Sequence, residues 1–198
     1  EWTHEILVPF APESKRSGIH DQGFHRVVWY EREFELDPAA LGPGCARVLL
    51  HFGAVDYHAT VWVNGMQVVE HEGGHTPFFA DVTDALVAGP RQRVTVRAED
   101  DPHDLEKPRG KQDWQLEPHA IWYPRTTGIW QSVWLECVPA TYLSYVRWTA
   151  NLERWEIAIH AFMGGAEDES LQLQVRLRVG DGVLADDTYR VLRGEVHR

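Results

Sequence analysis

Residues 28–36 place Val28, Tyr30, Phe34 and Leu36 on one side of the chain and Trp29, Glu31, Glu33 and Glu35 on the other, with only Arg32 out of step. A repeat of two is the mark of a strand, because successive side chains there point to opposite faces. The pattern returns at 46–52, where Val48, Leu50 and Phe52 oppose Arg47, Leu49 and His51. It returns again where Val55, Tyr57, Ala59, Val61 and Val63 oppose Asp56, His58, Thr60 and Trp62. Asn64-Gly65 then precedes Met66-Gln67-Val68-Val69, and both turn residues accept the positive φ angles of a two-residue type I′ turn, so a hairpin is expected. Residues 93–99 and 129–138 supply further strands. Asp81 can cap 82–86, a run too short for more than a helical turn, and no amphipathic helix of ordinary length precedes Pro139. The first part of the chain therefore reads as an antiparallel β sandwich.

After Pro139 the alternation restarts at 142–149, 155–162, 171–179 and 183–192, broken by Gly164-Gly165 and Gly180-Asp181-Gly182. Those are about four strands in roughly 60 residues, where an immunoglobulin-like sandwich takes seven in about 100. A partial second sandwich is expected, with an open sheet edge. At 198 residues the chain is short for a (β/α)8 barrel, which alone takes about 250. Glu1 and Arg198 both read as cut ends of something larger.

Composition excludes several classes. The 30 acidic residues outnumber the 19 basic ones, giving a net charge of −11 that repels phosphate backbones, so nucleic acid is not an expected partner. No apolar run reaches the roughly 18 residues of a membrane span, and the N-terminus lacks a basic and then apolar leader pattern. Cys45 and Cys137 are too few for a disulfide framework; they read as small buried hydrophobes in a reduced, cytoplasmic setting. His71-Glu72-Gly73-Gly74-His75 spells the zinc-protease pattern, but that chemistry needs a helix, and each central glycine opposes one by roughly 1 kcal/mol. No metal site or cofactor is expected from it. Neither a nucleophile elbow, a paired-cysteine motif nor a glycine-rich phosphate loop is present.

Between Glu99 and Trp130 lies a long segment interrupted by Pro102, Pro108, Pro118 and Pro124. Loops of that length are uncommon without a task. It mixes Trp114, Trp122, Tyr123 and Trp130 with Asp113, Gln115, Glu117, His119 and Arg125. Sugar rings call for such a mixture, because a pyranose shows an apolar C–H face and a rim of hydroxyls. Asp113, Trp114, His119, Trp122, Tyr123 and Arg125 are the candidate substrate-binding residues. Trp130 and Trp134 fall in a strand and read as core.

Four stretches in order resemble glycoside hydrolase family 2, the group of β-galactosidases, β-glucuronidases and β-mannosidases. They are Ile6-Leu7-Val8-Pro9-Phe10 through Gly23-Phe24 with Val28-Trp29-Tyr30-Glu31-Arg32-Glu33-Phe34; Phe52-Gly53-Ala54-Val55-Asp56 then Ala59-Thr60-Val61-Trp62-Val63-Asn64-Gly65, with Gly73-Gly74-His75-Thr76-Pro77-Phe78 and Asp81-Val82-Thr83 downstream; Asp104-Leu105-Glu106-Lys107-Pro108-Arg109-Gly110-Lys111-Gln112; and Thr127-Gly128-Ile129-Trp130. The resemblance implies a sugar-binding jelly roll over 1–139, galactose-binding-like in fold, and a partial immunoglobulin-like β-sandwich over 140–198. It implies that both buttress a catalytic barrel of the same polypeptide, in a retaining enzyme that removes terminal β-linked sugars. The family's catalytic glutamates reside in that barrel. Its acid/base follows an asparagine, whereas Asn64 and Asn151 here precede Gly65 and Leu152, so no catalytic residue is assigned to this chain. Some members carry a substrate-contacting aspartate about six residues before the Gly-Ile motif, where this chain has Trp122.

Three roles fit the sequence: the non-catalytic N-terminal part of such a glycosidase, a free-standing carbohydrate-binding module, or a structural module whose Trp-rich loop is a protein interface. Carbohydrate is the expected partner in the first two, and homo-oligomerisation stays open.

Overall fold

The computed structural model describes residues 2–165 and 170–198. The chain divides into two compact units, Glu1–Cys137 and Val138–Arg198. It is an all-β protein whose helical content among the described residues is three single 3₁₀ turns.

Nine strands build the first unit: β1 (Val27–Glu35), β2 (Arg47–Phe52), β3 (Val55–Asp56), β4 (His58–Val63), β5 (Met66–Glu72), β6 (Phe78–Asp81), β7 (Arg91–Glu99), β8 (Gly128–Ile129) and β9 (Val133–Val138). One antiparallel sheet runs β1-β7-β4-β5; a second runs β6-β2-β9, and β3 pairs with β8. The alternation read from sequence becomes one shared interior. Tyr30 of β1, Val48, Leu50 and Phe52 of β2, Ala59, Val61 and Val63 of β4, and Val96 and Ala98 of β7 are buried in a single cluster with Phe78, Val82 and Ile129. Fully burying each larger apolar side chain contributes roughly 1.5–3 kcal/mol, which is why this pattern decides the strand faces. The Asn64-Gly65 hairpin forms as expected, with φ of 50° and 85° and a register running to Val63↔Met66.

Several expectations needed correction. The run 55–63 is two strands rather than one, divided at Tyr57, and 129–138 is likewise split by 130–132. Trp134 is not core: it lies exposed and stacks on His51, with ring centroids 4.9 Å apart. The cysteines are not separate buried hydrophobes, since Cys45 and Cys137 are joined in a disulfide across 92 positions of sequence. Their sequence distance hid a spatial approach created by the sheet. A reduced, cytoplasmic setting therefore loses the support that unpaired thiols would have lent it. Asp81 does not cap the short 3₁₀ turn Thr83–Ala85 after β6: the N-cap position is Val82, and Asp81, one residue earlier, accepts from the Thr83 N–H and hydroxyl.

The second unit pairs β10 (Thr141–Asn151), β11 (Glu156–Gly165) and β14 (Glu195–His197) in one sheet and β12 (Gln172–Val179) with β13 (Gly182–Arg190) in another. Ile159, Ala161, Val191 and Val196 are buried within it, whereas Leu143, Tyr145, Trp148, Trp155 and Leu184 are exposed.

Candidate functional site

The aromatic segment, residues 100–127, links β7 to β8 and is pinned to the sandwich at several points. Asp100, at the end of β7, takes Lys107 Nζ on Oδ1 at 2.6 Å and the Arg125 guanidinium on Oδ2. Arg125 also lies 5.9 Å from the Phe24 ring. Gln112 works in both directions: its Nε2 donates to Asp56 Oδ2 at 2.8 Å, and its Oε1 accepts from the Thr126 N–H at 2.9 Å. Thr127 N–H donates to Glu13 Oε2 at 3.2 Å, and Ile129 N–H donates to the Tyr30 hydroxyl at 3.3 Å. Burial pushes the Asp56 carboxyl above its usual range; the Gln112 hydrogen bond opposes the shift, and the nearby Asp100 charge adds to it.

Inside the segment, Asp113 is the organising group. Its side chain is fully buried, Oδ1 accepting from the Gln115 N–H and Oδ2 from both the N–H and the ring Nδ1 of His119, at 3.0, 2.8 and 2.7 Å. Burial alone raises its carboxyl, but those donors outweigh it and hold the group below the usual carboxylate range. An ionised carboxylate only accepts, so Nδ1 of His119 carries the proton in this bond. The backbone closes the same structure: Asp113 N–H donates to the Tyr123 carbonyl and Tyr123 N–H to the Lys111 carbonyl, each at 2.8 Å.

The six candidate residues thus separate by role. Asp113 is spent on donors within the loop, and Arg125 is held in a buried ion pair with Asp100. Trp114 meets His119 and Trp122 edge to face, with centroids 5.3 and 5.1 Å away, so these three rings brace one another. Tyr123 is 62% exposed, and Trp114 keeps a partly open face. Sequence reasoning passed over Arg109, whose guanidinium lies 6.0 Å from the Trp114 ring and whose buried Nη1 finds no hydrogen-bond partner among the described residues. Together with exposed Lys111 it brings positive charge to the aromatic cluster. Its signal was a basic pair, Arg109-Gly110-Lys111, inside an otherwise acidic chain. The arrangement suits binding of a sugar carrying an anionic substituent, with rings for the C–H face and cations for the charge.

The other motif residues are structural as well. His71, on β5, stacks on Phe78 at 4.3 Å and shares a hydrogen bond with Thr76 Oγ1, while His75 meets the edge of Trp130. Trp130, set between β8 and β9, donates its indole N–H to the Gly74 carbonyl at 2.8 Å.

A family model described as "Glycosyl hydrolases family 2, sugar binding domain" matches residues 20–139. The β-glucuronidase of Rattus norvegicus is 33% identical over 195 residues, covering 91% of this chain and 30% of the relative. That of Mus musculus is 34% identical over 165 residues, covering 76% and 25%. The chain therefore spans less than a third of the length of these curated relatives. Among solved structures, the Bifidobacterium dentium β-glucuronidase complexed with coumarin-3-O-glucuronide has the same fold, with a TM-score of 0.69 at 22% identity over 98% of this chain and 37% of its own. An uncultured Clostridium sp. β-glucuronidase follows at 0.60 and 25% identity, over 92% of this chain and 32% of its own.

Proposed function

The chain belongs to glycoside hydrolase family 2, and from that membership we propose that it is the non-catalytic, sugar-binding N-terminal part of a retaining β-glycosidase that releases a terminal uronic acid. The observation that carries the substrate class is the Arg109 guanidinium over the Trp114 ring, with Lys111 and Tyr123 exposed in the same segment, in a chain related to the β-glucuronidases of rat and mouse. A uronate presents an apolar ring face and a carboxylate, and this loop offers a partner for each. The loop borders the pocket, while the glutamate pair that cleaves the bond is supplied by a barrel of the same polypeptide. In this reading the sandwich scaffolds that barrel.

Two measurements test it. The gene is expected to continue in frame past Arg198 into a βα-repeat region with an Asn-Glu pair; a stop codon there overturns the glycosidase reading. The 198-residue chain alone is expected to leave an aryl β-glucuronide intact.

A free-standing carbohydrate-binding module is the second reading, favoured by the 62% exposure of Tyr123. Titration of the chain with glucuronic acid and with neutral sugars separates the two. Measurable affinity lost on Tyr123→Ala supports the module, and its absence across the panel removes it.

A further inference from the structure

Gln112 joins the middle of the aromatic segment to the sandwich through one side chain. Its Oε1 accepts from the Thr126 N–H at 2.9 Å, and its Nε2 donates to Asp56 Oδ2 at 2.8 Å. The partners fix which way the amide points, because a backbone N–H can only donate and so takes the oxygen. The backbone of Gln112 is tied as well. Its N–H donates to the Arg109 carbonyl at 3.2 Å, and the residue forms a parallel bridge with Tyr123, bounded by the bonds from Tyr123 N–H to Lys111 and from Asp113 N–H to Tyr123. Arg109, Lys111 and Trp114 all lie within three positions of Gln112 in sequence. The four residues that carry the ligand reading are thus hung on one glutamine.

Asp56 is built to hold that glutamine. It ends β3, opposite Gly128 of β8, and is 3% exposed. While Oδ2 takes the Gln112 amide, Oδ1 packs against Gly74, where a Cβ would overlap it. The φ of Gly74 is not positive, so the close approach of the carboxyl, rather than a special backbone conformation, is what calls for glycine there. Gly74 is itself anchored, since its carbonyl accepts the Trp130 indole N–H at 2.8 Å. The buried carboxyl therefore has a fixed wall beside one oxygen and the Gln112 amide at the other.

We propose that Asp56 is a positioning residue for the aromatic segment: through Gln112 it sets the place of Arg109, Lys111, Trp114 and Tyr123 against the sandwich, with Gly74 as the wall that keeps its carboxyl turned toward the glutamine. It touches no ligand in this role. The inference rests on the reading of those four residues as the ligand-facing group. Asp56 acts differently from the other two buried acids of the region. Asp113 organises the segment from within and Asp100 holds its two ends, whereas Asp56 ties its middle to β3.

The geometry asks Asp56 for an acceptor oxygen in one place rather than for a charge. Asp56→Asn keeps an oxygen of the same reach for the Gln112 amide. Asp56→Ala removes it and leaves a part-buried N–H group without its acceptor. Gly74→Ala reaches the same contact from the other side: both hydrogen-bonding partners stay in the chain, and the new methyl displaces the carboxyl.

The test is amide hydrogen exchange in the 198-residue chain, reading the Thr126 amide against the core amides of β4 so that local opening separates from global unfolding. Asp56→Ala is expected to speed Thr126 by about tenfold relative to β4, Gly74→Ala to speed the same amide, and Asp56→Asn to stay within about twofold of the wild type. Because Asp56 acts through Gln112, the Asp56→Ala/Gln112→Ala double variant is expected to exchange no faster at Thr126 than Gln112→Ala alone. Thr126 and β4 rising together in Asp56→Ala, effects that multiply in the double variant, or an Asn variant as fast as the Ala one would each overturn the proposal. Should Asp56→Ala fail to fold, the same cycle run with Gly74→Ala decides it. Titration with glucuronic acid is a separate arm, in which Asp56→Ala is expected to weaken the wild-type affinity by about tenfold. A wild type without affinity counts against the uronate reading alone, since the exchange rates are read without ligand.

Discussion

Asp100 and Arg125 face each other across the neck of the aromatic segment, their side chains each 8% exposed, so that one buried ion pair draws together two backbone positions 25 residues apart. Lys107 completes the set from within the segment, 2.6 Å from the other oxygen of Asp100. The pair sets where the loop begins and ends, and thereby which rings reach solvent.

Removing one side of a buried pair leaves the other charge uncompensated, at a cost of about 3–5 kcal/mol. Asp100→Ala strands two cations, whereas Arg125→Ala leaves Asp100 with Lys107. Urea denaturation is therefore expected to show Asp100→Ala as the more damaging change, with Arg125→Ala at or below the lower end of that range. Equal losses would mean that Lys107 contributes nothing to the neck.

The Cys45–Cys137 bond closes a long stretch of chain, and such a crosslink stabilises by about 2–5 kcal/mol, largely by restricting the unfolded state. A Cys45→Ser/Cys137→Ser double variant, or the reduced wild type, is expected to lose that amount in chemical denaturation. The two treatments should agree. Thiol titration of the unfolded, unreduced chain should find no free cysteine.

Gly128 has φ of 75°, and a Cβ placed on it would overlap the Tyr30 hydroxyl. Tyr30 is buried and its oxygen holds the Ile129 N–H, so the ring has little room to withdraw. Gly128→Ala combines a left-handed backbone penalty with overpacking, together about 2–4 kcal/mol. A thermal melt checks it. Gly65→Ala, also at positive φ but with open space around it, should cost less.

Asp113 predicts an acid limit for the loop. Its carboxyl is held below the usual range by the Gln115 and His119 donors despite burial, so its contribution is present above the unfolded value near 3.8 and is lost as pH falls through the lower folded value. Cleavage within 114–122 by pepsin is expected to accelerate below pH 3.8 ahead of global unfolding. Asp113→Ala is expected to accelerate cleavage by a neutral protease by about tenfold at pH 7.

Which parts of this could be read in advance follows from how local each signal is. The faces of β1, β2 and β4 were legible because alternation over a few residues decides burial. The Asn64-Gly65 hairpin was legible because its turn chemistry is contained in two residues. Tyr57 divided a run that alternated without interruption, since sheet pairing with β7 and β8, not the local pattern, sets where strands end. The aromatic loop was visible as composition, but its wiring was not: Asp113 and Arg125 look in sequence like polar groups beside rings. Only the fold brings their partners to them. An Asx turn from Asp113 to Gln115 was the one local hint. Glu13 gave none, because its partner Thr127 lies 114 positions away in sequence.

The Cys45–Cys137 crosslink also makes residues 45–137 a covalent ring with the aromatic segment as part of its circumference. A single backbone cut among residues 103–124 then opens the ring without releasing a piece. The nicked molecule keeps its 22.7 kDa as one body until a reductant reaches the sulfurs, and only then separates into two fragments. Damage to the exposed loop is thus uncoupled from loss of either half of the sandwich.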